Sequence, residues 1–155
     1  MPIGTVIASH RQTAAVPAGE GWSGAVTLLC DGGSRPNPGT AQPVVTDGVT
    51  FLPISPRQGT SHQAVYDAVD RALRHARAAR ARDVTIELPS RLVWGQLTGN
   101  GGCRLLLHRR DATLALASRL PSVTWTLVQA SFTVGGVCLG SIRELRRLAA
   151  ARSGS

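Results

Sequence analysis

The chain has 155 residues, 43% of them hydrophobic and 17% charged, which suits one domain with its own core and excludes a disordered segment or a two-module protein. Its 17 basic side chains are all arginine and outnumber 9 acidic ones, giving a formal net charge of +8. Whether this bias reflects GC-rich coding or selection, a forked, always-charged side chain suits phosphate and carboxylate oxygens, so nucleic acid or acidic partners are favoured. Cys30, Cys103 and Cys138 are odd in number and far apart, which argues against a disulfide framework or a zinc site and for a reducing, cytoplasmic setting. Neither a signal-peptide pattern nor an apolar run near the roughly 20 residues of a membrane span is evident, so no membrane association is expected.

Residues 1–21 hold an apolar patch at 3–8 followed by Gly, Pro and Ala, which reads as an arm or a loosely attached strand; residues 22–152 read as the domain and 153–155 as a tail. The first firm strand is predicted at 25–30, AVTLLC, ending at Asp31-Gly32-Gly33. The following SRPNPG is turn chemistry. Runs at 42–46 and 49–54 flank Asp47-Gly48, the signature of a tight type I′ hairpin, so the first half reads as three antiparallel strands. A helix is predicted from Ser61, with Ala64, Val65, Ala68, Val69, Ala72, Leu73 and Ala76 on one face. Asp67–Arg71 and Asp70–Arg74 stand at i, i+4 in the favourable orientation.

The segment VTIEL at 84–88 reads as a short buried strand stopped by Pro89, and Ser90 as the cap of a short helix to Leu97. Asn100-Gly101-Gly102 is a break, and a further helix is predicted over residues 104–120, before Pro121. A strand at 122–128 and a Gly-rich loop follow. Ser141 and Glu144 make a capping-box pair for a final helix containing Ile142, Leu145 and Leu148.

This βββ-α-β-α-α-β-α order, with several local motifs, resembles the ribonuclease H family. CDGGSRPNPGTA is similar to the family's first-strand motif, Asp-Gly-Gly/Ser followed by Asn-Pro-Gly. GTSHQAVYDAVDRAL resembles its Thr-Asn-Asn entry into the first long helix, and VTIELPSRLVWGQL its strand-to-helix element with Asp-Ser. VTWTLVQAS resembles the Trp-containing last strand, and IRELRRLAAA stands where the last helix carries Ala-Asp-x-Leu-Ala. The resemblance spans roughly residues 25–150 and implies an α/β ribonuclease H-like fold: a mixed five-stranded sheet, three antiparallel strands first, with helices on both faces.

The resemblance also implies a ligand set. Family enzymes hold two divalent cations with a cluster of carboxylates. Asp31 matches the first of these. The helix position carrying Glu in the family is Val65, the strand-end Asp is Pro89, and the last-helix Asp falls on Arg146. The loop SFTVGGVCLG lacks the histidine of many active members. One lone carboxylate cannot offset about four positive charges, so the expectation is a catalytically impaired relative with Asp31 vestigial or retained and no cofactor. The alternative is an active Mg²⁺- or Mn²⁺-dependent hybrid ribonuclease with Asp31 as metal ligand. Glu87 is the speculative substitute, on the face of Pro89 but displaced by roughly 6–7 Å along the strand.

The resemblance further implies nucleic-acid contact by Gly33, Ser34, Arg35 and Asn37 in the first motif, by Thr60, Ser61 and His62 at the helix entry, and by Arg91, Arg104, Arg109 and Arg110 beyond. Several residues have a plainer account. Asp31 before two glycines makes a good turn; Asn37 belongs to an Asn-Pro-Gly turn; Ser61 caps a helix; the first helix's arginines form a solvated face. The expected partner is RNA or an RNA/DNA hybrid, with a protein partner or self-association as the competing role.

Overall fold

A computed structural model of the chain describes residues 6–7, 22–48, 51–99, 106–128, 132–134 and 137–139. Strands β1 (Val6–Ile7), β2 (Ala25–Arg35), β3 (Gly39–Thr46), β4 (Arg57–Gly59), β5 (Asp83–Leu88) and β6 (Ser122–Val128) form one sheet in the order β1-β6-β5-β2-β3-β4. β2 pairs antiparallel with β3 and β3 with β4, whereas β2, β5, β6 and β1 are parallel neighbours. The five-stranded mixed sheet expected from the sequence is therefore present, with the two-residue β1 of the N-terminal arm added at its parallel edge. Among the described residues no helix is long and apolar enough to cross a membrane.

Helix α1 (Ser61–Ala78) lays its buried stripe, from Ala64 to Ala76, on the sheet. Its Val65, Tyr66, Val69 and Leu73 join Leu28, Cys30, Val45, Val84, Ile86, Leu88 and Trp125 in one core. The close approach depends on Gly32, where a Cβ would stand 2.5 Å from the Ala64 Cβ and 2.8 Å from the Val65 nitrogen. Helices α2 (Arg91–Thr98) and α3 (Leu107–Ala117) complete the described helical layer. Ser90 caps α2 through the Val93 N–H, as its sequence predicts, and Gly99 ends it in the left-handed conformation at φ 76°.

Several expectations need correction. Asp31-Gly32-Gly33 does not end the first strand: β2 continues to Arg35 because Asp31, Gly32 and Gly33 pair with Val44, Pro43 and Gln42 of β3, and the turn falls at Pro36-Asn37-Pro38. The strand expected over residues 49–54 is reduced to one bridge, Thr46 with Phe51, and the third antiparallel strand is β4. Residues 49–50 lie outside the described residues. The cap of α1 is Thr60, not Ser61: its hydroxyl accepts the Gln63 N–H, and the Gln63 side chain accepts the Thr60 N–H. Asp67 and Asp70 pair not along α1 but with Arg57 and Arg109, because the neighbouring elements bring those guanidinium groups to the helix flank. Within the Gly-rich loop, β7 (Phe132–Val134) and β8 (Val137–Leu139) pair as a separate hairpin. The predicted final helix lies outside the described residues.

Candidate nucleic-acid interface

At the carboxyl ends of the parallel strands, where an open α/β sheet offers a crevice to ligands, a hollow of about 340 Å³ opens beside Asp31. Four elements build its walls. β2 supplies Asp31 and Gly32, the first turns of α1 supply Ser61, His62 and Val65, the β5–α2 junction supplies Pro89, Ser90, Arg91 and Leu92, and β6 supplies Val128. The starts of α1 and α2 both face this hollow; the Ser61, Gln63 and Val93 N–H groups are taken by Asn37, Thr60 and Ser90, so it is the helix dipoles that favour a negative charge there.

Asp31 is 1% exposed and is the sole carboxylate lining the hollow among the described residues. Val65 and Pro89, the positions where the resemblance implies Glu and Asp, both line it. Glu87 is buried and does not line it. Leu29 pairs with Glu87; Asp31, two residues further on, shares that face of the sheet but stands roughly 6–7 Å beyond Glu87 along the strand direction. No group of three or more His, Cys, Asp or Glu side chains among the described residues is arranged to hold a metal ion. On the opposite face, in the core beneath α1, the Cys30 thiol is pushed well above its ordinary pKa, first by burial and then by the charges of Asp31, Glu87 and Asp70, so it stays protonated at neutral pH.

The other predicted residues separate into three groups. Ser61, His62 and Arg91 reach the hollow. Asn37 ties the hairpin tip to α1, its Oδ1 accepting the Ser61 N–H at 3.0 Å; Ser34 Oγ lies 2.6 Å from the Pro36 carbonyl and 3.1 Å from that of Gly59, Thr60 caps α1, and Gly33 sits in the β2–β3 ladder opposite Gln42. Arg35 is exposed at the end of β2. Arg109 is drawn into a clamp instead, donating to Asp67 at 2.8 Å and Asp70 at 3.2 Å and standing 5.7 Å from the centre of the Tyr66 ring. Arg57 closes the same clamp with two bonds to Asp67. Burial alone would raise the Asp67 pKa, but the hydrogen bonds and charges of Arg57 and Arg109 outweigh it and hold the carboxyl below its usual range. Arg110 pairs with its neighbour Asp111, and Arg104 lies outside the described residues. Sequence reasoning missed the apolar wall residues Leu92 and Val128 and the bond from the Tyr66 hydroxyl to Gln96; the i, i+30 separation of that last pair leaves no local signal.

A central parallel pair, an antiparallel extension beginning with the Asp31 strand, a long helix over that strand and a crevice at the strand ends define a ribonuclease H-like α/β domain. Comparison with solved structures extends this. The chain is 30% identical to the N-terminal ribonuclease H domain of Rv2228c from Mycobacterium tuberculosis, covering 67% of this chain and 86% of that one at a TM-score of 0.57. Ribonuclease H1 of the halophilic archaeon Halobacterium salinarum is 25% identical over 83% of this chain and 98% of its own, with a TM-score of 0.58. LC11 ribonuclease H1, solved in complex with an RNA/DNA hybrid, shares the fold at 24% identity, 83% and 99% coverage and a TM-score of 0.60. No family model and no curated protein matches the sequence. The chain belongs to the ribonuclease H family.

Proposed function

We propose that residues 22–152 form a ribonuclease H-family domain that binds RNA/DNA hybrid or RNA at the Asp31 crevice without metal-dependent cleavage. The observation that carries this reading is the lining of the crevice, which includes Val65 and Pro89, the residues the resemblance sets at two carboxylate positions. Two divalent cations demand several hard, anionic oxygens. A valine, a proline and one aspartate beside the cationic Arg91 do not fit that demand. What the wall does offer is an anion seat: two helix starts, the Ser61 and Ser90 hydroxyls, His62 and Arg91. Phosphate and 2′-hydroxyl contacts are the usual means of holding such duplexes, and the hybrid complex of LC11 ribonuclease H1 supports the same class of partner.

The competing enzyme reading uses Asp31 with Glu87, which share one face of the sheet. Their offset along the strands and the burial of Glu87 away from the crevice weigh against it. A fluorescence-anisotropy titration with labelled hybrid, duplex RNA and single strands, at low and physiological salt, tests the proposal alongside a gel assay for cleavage. The expected result is binding that weakens steeply with salt, is indifferent to chelator, and proceeds without cleavage in Mg²⁺ or Mn²⁺. Cleavage abolished by Asp31→Asn would overturn it, as would no binding to any of the three at low salt.

A further inference from the structure

The far end of α1 carries a second feature that the crevice does not use. α1 and α3 run in the same direction, since Arg109 lies by Tyr66, Thr113 bonds Asp70, and Leu116 meets Leu73 across a groove. That groove has a volume of about 440 Å³ and is lined by Leu73, Ala78, Leu116, Arg74, Arg77 and Arg119. Its floor is apolar and its rim is three exposed arginines, none of which has an acidic partner among the described residues. Arg77 lies fifteen residues beyond His62 on α1, about 22 Å along the helix axis. The groove is therefore remote from the crevice.

Two helix ends close here, and a helix C-terminus stabilises a nearby cation. That accounts for some of the charge but not for an apolar trough between the arginines. An arginine rim over a leucine floor is complementary to a segment alternating carboxylates with an apolar anchor. No segment of these 155 residues fits: 9 are acidic, and outside the described part these are Glu20 and Glu144 alone, the latter set among Arg143, Arg146 and Arg147. A second copy, also at +8, is equally unsuited. Nucleic acid would find phosphate partners here but no aromatic side chain to stack on, the usual platform for a base in a groove. The geometry points to a docking groove between α1 and α3 for an acidic peptide segment of a partner protein, anchored by a leucine-sized side chain over Leu73 and Leu116.

The test uses the full chain and a fluorescein-labelled peptide of glutamates interrupted by two leucines one helical turn apart, with a leucine-to-serine version as control. Binding is read by anisotropy, and thermal melting checks that Arg77→Gln/Arg119→Gln remains folded. The double variant should bind the leucine peptide about tenfold more weakly, as two modest surface ion pairs allow, and hybrid affinity should change less than about twofold. The serine peptide should be weaker on the parent protein by a similar factor. Equal peptide binding by parent and variant, equal binding of both peptides, or no peptide binding at low salt would overturn the proposal. A loss of hybrid rather than peptide binding would assign the groove to nucleic acid instead. That last outcome alone would also move the nucleic acid away from the Asp31 crevice; the other failures do not involve Asp31, Ser61, His62 or Arg91 and leave the crevice reading standing.

Discussion

Gly32 is where sequence, packing and site meet, and Gly32→Ala measures that coupling. The added Cβ would sit 2.5 Å from the Ala64 Cβ, 2.7 Å from the Ala64 carbonyl carbon and 2.8 Å from the Val65 nitrogen, when ordinary contact begins at 3.4 Å. Two of these atoms are helix backbone and the third is a Cβ, so no side-chain rotation relieves the overlap. α1 must instead retreat by about 0.9 Å. Overpacking of this kind costs typically 1–3 kcal/mol, and the rigidity of the obstacle puts the expectation near ~3 kcal/mol. With a urea m-value of about 2 kcal/mol/M, the unfolding midpoint should fall by roughly 1.5 M. Gly24→Ala is the matched control, because its Cβ would have nothing within 4 Å; it should be neutral or stabilise by up to about 1 kcal/mol through the unfolded chain. If the two variants melt within ~0.5 kcal/mol of one another, the helix does not depend on that glycine for its seat. A retreating α1 also carries Ser61, His62 and Val65 away from Asp31, so surviving Gly32→Ala protein should bind hybrid more weakly than Gly24→Ala.

Other expectations concern the charged clamp between α1 and α3. Arg109→Ala removes a guanidinium only 18% exposed from two acids, leaving Asp67 with Arg57 and Asp70 with the Thr113 hydroxyl, so it should cost about 1–2 kcal/mol in urea titration, less than breaking a fully buried pair because partners remain and solvent still screens the site. Arg110→Ala, which loses only an exposed neighbour pair, should stay within ~0.5 kcal/mol. Asp67 has a lowered folded pKa; its contribution is therefore present above its unfolded value near ~3.9 and lost as pH falls through the folded one. Acid titration of the unfolding midpoint should show this loss, and Asp67→Asn should remove it. Tyr66, the single tyrosine, is pushed up to about 12, chiefly by burial. A raised acid pKa stabilises the fold below the unfolded value near ~10 and fails as pH climbs through the folded one. Tyrosinate absorbance should therefore appear only near that upper value, with unfolding, and a signal near pH 10 in folded protein would contradict the burial.

What could be read in the sequence was what depends on neighbours along the chain. The stripe from Ala64 to Ala76, the Ser90 cap and the strand at 122–128 follow from periodicity and local chemistry, and they stand as expected. What could not be read depends on neighbours across the fold. Gly32-Gly33 looks like a turn in isolation and is strand because β3 lies alongside and α1 lies above. Asp67 and Arg71 look like a helix pair, yet Arg57 arrives from elsewhere with two-point geometry and Arg109 adds a third bond. The cap fell on Thr60 rather than Ser61 because Gln63 reciprocates at the right spacing and the Ser61 N–H is taken by Asn37. In the site, Asp31, Val65 and Pro89, which the resemblance singles out, line one hollow from three different elements. It could not locate the groove at the other end of α1, which no local motif announces.

The arginines divide by what they touch, and salt dependence should report the division. Arg57, Arg109 and Arg110 are neutralised within the fold by Asp67, Asp70 and Asp111. Paired in this way, they add less to a phosphate site than the net value of +8 suggests. Binding at the crevice would draw on Arg91, and the expectation from sequence adds Arg35 and Arg104 to the count. Each neutralised phosphate on a duplex contributes about −0.9 to the slope of log affinity against log salt, so a hybrid should show a slope of about −3. If duplex nucleic acid also engaged Arg74, Arg77 and Arg119, the slope would steepen to about −5, and Arg77→Gln/Arg119→Gln would bring it back toward −3 by removing about two contacts. A slope near −3 that the double variant leaves unchanged, and that Arg91→Gln reduces by about one, assigns the nucleic acid to the crevice and leaves the groove for a different occupant. A slope that Arg91→Gln does not alter would show that the phosphates lie elsewhere on the surface.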